Sequence, residues 1–400
     1  MIETKSADGI DLTSPEFFAD PYPTYARLLE SGAPFWQAHG GSTGGMWLVS
    51  RYQDALMLLK EGHTTKDAMR VKPAAEVTFF DHTMLSKDAP EHTRLRSLAS
   101  LAFTPARVRD MAARLAQIID ELIGRVASQG RMDFIADFAM PLPAIVIAEL
   151  LGVPPEDRET FHSWSEKVAR GTVDELRSEA AAEEGDEAGK ALAYYFSDLF
   201  DRRREEPKDD LISALIAAHY AQDRLTEIEL MAMCMGLLIA GHTTTANLLG
   251  NGMLTLLRNP DQMAMLQSHP DLLPSAVEEM LRFESPIQRA TFRLTKVPVE
   301  IGGTLIPKGQ QVSVLIGAAN RDPQVFPQPD RFDISRQPNR HLAFGFGAHF
   351  CFGAPLARAQ TKLGFSRLLE RLPRLRLSAE GPRWGRTTFF RGLDSLPVEF

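Results

Sequence analysis

A chain of 400 residues with a hydrophobic share of 44%, no linker and no internal repeat can bury one large core, and it reads as a single domain over residues 1–400. Its formal net charge of −8 argues against nucleic acid as a main partner, and two cysteines exclude a disulfide framework. Met1 to Ser6 carry no apolar stretch, and the longest apolar run, Met231 to Ala240, is well short of the roughly 20 residues that cross a bilayer. The expectation is a cytoplasmic protein with neither signal peptide nor membrane anchor.

Residues 15 to 65 begin with a helical stretch. A hairpin follows, in which Pro34-Phe35-Trp36 and Met46-Trp47-Leu48-Val49 flank a turn from His39 to Gly45. That glycine-rich turn is no phosphate loop, because Met46 and a strand follow where Lys and a helix would be needed. From about 105 to 260 apolar residues recur three and four apart, as in Met111, Leu115, Ile118, Ile119 and Leu122, which predicts helices. The charged stretch Asp174 to Lys190, with Glu179, Glu183, Glu184, Asp186 and Glu187, reads as solvated helix ends and a loop.

A long helix is predicted from the capping-box sequence Thr226-Glu227-Ile228-Glu229 to Asn259-Pro260, spanning roughly 48 Å at 1.5 Å per residue. Its middle, Ala240-Gly241-His242-Thr243-Thr244-Thr245, joins a glycine to hydroxyls that can bond back to carbonyls. That is a weak point, read either as an opening into a polar groove or as a plain kink. Val297 to Ile301, a Gly302-Gly303 turn, Thr304 to Ile306 and Val312 to Val314 read as short strands. An irregular proline-rich segment, Pro323 to Pro338, precedes a last helix from Pro355 to Leu372. The fold class is mainly α with small β-sheets.

One thiol stands out. Cys351 lies in Phe344-Gly345-Phe346-Gly347-Ala348-His349-Phe350-Cys351-Phe352-Gly353-Ala354-Pro355, on a loop before a helix, where backbone N–H groups and the helix N-terminus favour a thiolate. Phe344 and Phe350 would wall it with apolar surface. Two other readings are a buried small hydrophobe and, with His349, a zinc ligand. A closed zinc site takes about four ligands, however, and the other cysteine, Cys234, sits in an apolar helical pattern. Gly345-Phe346-Gly347 also lacks the third glycine of a dinucleotide fingerprint, so neither a flavin nor a nicotinamide module is visible.

This loop resembles the haem-binding loop of the cytochrome P450 family, Phe-x-x-Gly-x-His/Arg-x-Cys-x-Gly, and Ala240 to Thr245 resembles that family's oxygen-activating segment. The resemblance, spanning roughly Pro90 to Pro355, implies a cytochrome P450 fold with heme b (iron protoporphyrin IX) between the long central helix and the Cys-bearing loop. It implies a monooxygenase that inserts one atom of O2 into a small apolar substrate, with the Cys351 thiolate on the iron. Gly241 would lie beside the oxygen site and Thr244 would relay protons. Thr243 stands where the family usually has Asp or Glu, so water and Thr244 must suffice or turnover is slow and leaks peroxide. His242 receives no role, since a helical neighbour points about 100° away.

The same resemblance assigns Ala240, Phe344 and Gly345 to the cofactor's surroundings and His92, Arg96, Arg293 and His349 to its propionates. Glu279-Met280-Leu281-Arg282, by itself an ordinary i,i+3 pair, becomes with Arg336 a structural network holding the segment before the Cys loop. The implied pocket is lined by Val77, Phe79, Phe80, Leu237, Ala240, Ile287, Ala290, Thr291, Phe389 and Phe390, with the Asp174–Lys190 region as its lid. Electrons would come from a ferredoxin or flavodoxin-type donor with its reductase. An acidic carrier of that kind would dock on a basic patch of Arg94, Arg107, Arg109, Arg358, Lys362, Arg367, Arg371 and Arg374. A monomer is expected, with natural-product tailoring as its setting. The rival expectations are a peroxide-driven oxygenase or decarboxylase, a haem sensor or carrier, and a helical binding protein without cofactor.

Overall fold

The computed structural model describes residues 10–38, 44–60, 62–67, 79–102, 105–173, 179–218 and 223–400. The helices that matter for the site are α1 (Glu91–Ala102), α2 (Pro105–Val126), α3 (Pro141–Leu151), α4 (Arg158–Val173), α5 (Glu179–Glu205), α6 (Glu227–Arg258), α7 (Leu273–Phe283) and α8 (Ala354–Arg371). Helix α6 begins as its sequence dictates: the Thr226 hydroxyl accepts from the Glu229 N–H at 3.4 Å, and the Glu229 carboxylate accepts from the Thr226 N–H at 2.9 Å. Nearly every face of this helix is apolar, so it can be stable only in the interior. It packs there against α3, α7 and α8. Among the described residues it is the one helix long and apolar enough to cross a membrane, and half of that apolar stretch is buried within the protein.

Helix α6 runs through Gly241–Thr245 as one continuous helix. The Thr244 hydroxyl donates to the Ala240 carbonyl at 2.7 Å, which satisfies the side chain without parting the turn. A β-carbon at Gly241 would meet Ile147 of α3 at 3.4 Å, an ordinary van der Waals contact. The Asp174–Lys190 stretch is expected to hold solvated helix ends and a loop, and α4 ends at Val173 while α5 begins at Glu179. Residues 174–178 lie outside the described residues, but Glu179–Lys190 form the first turns of α5. Alanine, glutamate and lysine are strong helix formers, and Lys190 pairs with Asp186 one turn away at 2.7 Å.

A five-stranded sheet flanks the helices, formed by β1 (Phe35–Ala38), β2 (Gly45–Val49), β3 (Thr64–Thr65), β4 (Arg293–Thr295) and β5 (Gln311–Val314), in spatial order β1-β2-β5-β4-β3. The expected hairpin is β1–β2, with Phe35 opposite Leu48; of its turn, residues 39–43 lie outside the described residues. At the far edge β3 pairs antiparallel with β4, Thr64 opposite Thr295 and Thr65 opposite Leu294. This edge carries Arg293 toward the end of α1. Val299–Ile301 and Thr304–Ile306 make a separate hairpin, turned by Gly302 and Gly303 at φ 53 and 76.

Candidate active site

The Cys loop needs two glycines for its path: Gly345 and Gly347 both take left-handed backbone, φ 71 and 75. A short turn, Gly347–His349, then delivers Cys351 three residues before α8, with its N–H donating to the Phe344 carbonyl at 2.8 Å. Cys351 is exposed, whereas Cys234 is fully buried in the core. The small-hydrophobe reading therefore fits Cys234 and not Cys351. Protein atoms still crowd much of the sulfur's surroundings, so burial pushes the Cys351 thiol up, opposed by the Gly353 and Ala354 N–H groups and by the charges of Arg96 and Arg358. The chain alone does not make the thiolate, but coordination to a metal ion would. No cluster of three or more His, Cys, Asp or Glu able to hold a metal occurs among the described residues, which leaves the zinc reading without ligands.

The segment ahead of the loop is pinned from α7. Glu279 and Arg282 are wholly buried and joined by two 2.7 Å hydrogen bonds, and Arg336 adds a third at 3.1 Å to the same carboxylate. Arg282 also donates to the carbonyls of Asn320, Pro329 and Arg331, each within 3.1 Å. The guanidinium thereby organises three pieces of backbone that have no sheet or helix of their own. The neighbouring Glu278, which sequence reasoning missed, accepts two 2.7 Å hydrogen bonds from Arg358 and one of 3.0 Å from His341. Burial would raise its carboxyl, yet those bonds outweigh it and hold Glu278 at about 2. Arg358 in turn lies 4.5 Å above the Phe344 ring.

On the other side of the loop the rings of His92 of α1 and His349 pack with centroids 4.2 Å apart, tilted at 44°. Arg293 and His92 are buried, Arg96 is half-buried over the Phe352 ring, and a recess of about 630 Å³ between α1 and Gly347–Ala348 is lined by His92 and Arg96. Burial holds Arg293 at about 10 against the pull of Asp88. Burial, then the charges of Lys66, His92, Arg293 and Arg96, drive His349 down to about 2. Positive groups crowd this recess beyond what nearby carboxylate balances. A bound group with an iron for the sulfur and carboxylates for the cations fits both halves of the site, and haem has both.

Above the loop, Ala240 is exposed although it lies midway along the central helix, and Leu237, Gly241, Thr243 and Thr244 are half-buried. A bridge between Ile287 and Phe390, with the Gln288 N–H donating to the Phe389 carbonyl at 2.9 Å, brings two pocket candidates together. Thr291 is half-buried and accepts from Arg293 at 3.3 Å through its carbonyl. Ala290 packs against the core beneath the sheet. Val77 lies outside the described residues, and Phe79 and Phe80 are described only as backbone of a short 3₁₀ turn.

Four arginines of the expected basic patch are paired with acids. Arg358 is held by Glu278, Arg94 by Glu229 and Asp223, Arg367 faces Glu370 at 3.6 Å, and Arg371 meets Asp120 at 3.2 Å. Acids on neighbouring elements, invisible in a count of basic residues near Cys351, neutralise much of that face. The side chains of Arg107 and Arg109 lie outside the description.

His242 points away into the interior, its ring 5.0 Å from His162. Burial, with the charge of His162, holds it down to about 3 against a hydrogen bond to the Met140 carbonyl. The unfolded imidazole takes up a proton below about 6.5, so between there and pH 3 the unfolded chain binds more protons and stability falls as pH drops. From pH 7 to 5 this one residue should cost about 2 kcal/mol. Urea unfolding at both pH values should show His242→Phe losing that much less; an unchanged pH slope would contradict the assignment.

A lone thiol at a helix start, beside a cation-rich recess and beneath a long central helix, defines a haem-thiolate layout. The sequence matches the cytochrome P450 family over residues 20–374. It is 42% identical over 396 residues to Cytochrome P450 107B1 of Saccharopolyspora erythraea, covering 96% of this chain and 95% of that one. It is 41% identical over 392 residues to Cytochrome P450 monooxygenase PikC of Streptomyces venezuelae, covering 96% and 92%. Its fold superposes on Bacillus subtilis 168 Bacillaene Polyketide Synthase (PKS) Cytochrome P450 PksS with a TM-score of 0.91 at 37% identity, covering 98% and 99%. The chain belongs to the cytochrome P450 family, and it is an oxidoreductase, a monooxygenase of the haem-thiolate type.

Proposed function

We propose that this chain is a single-domain, cytoplasmic, monomeric monooxygenase that holds heme b through the Cys351 sulfur and oxidises an apolar, polyketide-like substrate with electrons from a ferredoxin or flavodoxin-type donor and its reductase. The observation that carries the reading is the exposed Cys351 on a glycine-shaped loop beside a surplus of buried positive charge. Bound there, haem supplies the activation of O2, and a thiolate ligand favours O–O cleavage. His92, Arg96, Arg293 and His349 would hold its propionates, with Phe344, Gly345 and Ala240 against its faces. The polyketide class is suggested by relatives such as PksS, and it suits a lining of Leu237, Ile287, Phe389 and Phe390.

Proton handling falls to the chain. The Thr244 proton is committed to the Ala240 carbonyl at 2.7 Å, so its oxygen accepts a hydrogen bond as it stands and donates one only after the hydroxyl turns. Thr243 offers a second hydroxyl and no titratable acid, so water must bring the protons that these hydroxyls order. Thr244→Ala should therefore lower product formation roughly 10²-fold while reductant consumption continues into hydrogen peroxide. Measuring product, O2 and peroxide together checks it; product yield per O2 equal to wild type removes Thr244 from the route. Thr243 also favours a second reading, oxygenation driven by peroxide, which equal or faster turnover with peroxide alone than with donor and O2 would support.

A further inference from the structure

Lys66 follows β3, where the ladder pairing Thr64 with Thr295 and Thr65 with Leu294 runs on to set it beside Arg293. Both are buried, Lys66 at 7% exposure and Arg293 at 6%. Among the described residues Asp88 is the one carboxylate whose charge bears on both. It is already engaged, accepting from the Lys66 backbone N–H at 3.1 Å and from the Thr65 hydroxyl. The Lys66 ammonium makes no ion pair or hydrogen bond to a described residue. Lysine is almost never buried without a partner, because its compact charge is strongly hydrated. Burial first, and then the charge of Arg293, push its proton affinity well below the ordinary lysine value. Lys66 is also foremost among the charges acting on His349, whose ring lies 4.2 Å from that of His92, a residue lining the recess.

Three cations, Lys66, Arg96 and Arg293, thus act together on His349, while Asp88 is the carboxylate that bears on Lys66 and Arg293, an excess of two positive charges. Resting on the cofactor reading above, we propose that Lys66 is a further carboxylate-binding residue of this site, its ammonium pairing with one of the two propionates of the haem. The two propionates bring the two negative charges that the recess is short of. Neither the Cys loop nor the four cofactor cations read from the sequence included it.

The test uses purified holoenzyme of the wild type, Lys66→Met and Lys66→Arg, with two readouts: the rate of haem transfer to excess apomyoglobin and the midpoint potential of the bound iron. Methionine keeps the apolar stem and removes the charge, so Lys66→Met should lose haem at least about tenfold faster, the factor that one shared ion pair of 1.4 kcal/mol represents. Its potential should also fall, because a nearby cation favours the form holding the extra electron. Lys66→Arg should keep both near wild type. Unchanged retention and potential in Lys66→Met overturn the proposal, as does a Lys66→Arg protein as impaired as Lys66→Met. If Lys66→Met does not accumulate, Lys66→Arg decides by whether both readouts hold. A wild-type protein that carries no haem would overturn the cofactor reading and this assignment together, whereas a haem-loaded wild type with an indifferent Lys66→Met overturns Lys66 alone.

Discussion

Arg282→Ala should prevent accumulation of the folded protein at ordinary growth temperature. The substitution strands the Glu279 carboxylate, which is wholly buried, and takes the donor from three carbonyls, those of Asn320, Pro329 and Arg331. Breaking one half of a buried pair costs about 3–5 kcal/mol, and domains of this kind rest on a total of about 5–15. Arg336 and Asn339 also contact Glu279, at 3.1 and 3.0 Å, and soften the loss without filling the place of the fork. Lysine keeps the charge but cannot reach the carboxylate and three carbonyls together, so Arg282→Lys should be impaired as well. Urea unfolding of whatever folded protein can be recovered gives the comparison. A midpoint within experimental error of wild type for Arg282→Ala would show that the network is decorative.

Cys351→Ser should have an equally large effect on activity with a smaller one on the fold. The residue is exposed and its backbone makes the loop's bonds, the N–H to the Phe344 carbonyl at 2.8 Å among them, so an oxygen in place of sulfur leaves the loop's path intact. What is lost is the soft, charge-donating ligand. Monooxygenation should drop to background, while the unfolding midpoint of haem-free protein moves by less than about 0.5 kcal/mol, as surface changes usually do. Substantial turnover in the serine variant would remove Cys351 from the centre of the chemistry.

The parts of this fold that were legible in the sequence are those governed by local rules. The capping box at Thr226 placed the start of α6 to the residue, because the same two side chains that spell the motif satisfy the helix's free N–H groups. The β1–β2 hairpin was readable for similar reasons, whereas the Glu279–Arg282–Arg336 group came from the family resemblance and not from a local rule. The sequence leaves the Gly241–Thr245 segment open, since a hydroxyl that can disrupt a helix can also bond within it, as that of Thr244 does with the Ala240 carbonyl. Charge density marked the Glu-rich stretch as solvated helix ends and a loop, but it did not fix Glu179 as the residue where α5 begins.

Within the site, residues that match a stretch of the family pattern were found, and residues outside any such stretch were not. Lys66 and Glu278 carry no motif of their own. Lys66 matters only through the register of a two-residue strand against β4, and Glu278 only because α8 lays Arg358 beside it. The pairing of four arginines of the basic patch was missed for the converse reason. Counting arginines says nothing of the acids that other helices bring to them.

The central claim is that a cysteine sulfur at position 351 ligates haem iron. The most direct measurement is the absorption spectrum of the purified, chemically reduced protein under carbon monoxide, taken for the wild type and for Cys351→Ser. The account expects the wild type to show the strongly red-shifted haem band peculiar to thiolate ligation, and the serine variant to lack it. A wild-type band at the position of a histidine-ligated haem, or a shifted band that survives in the serine variant, would contradict it.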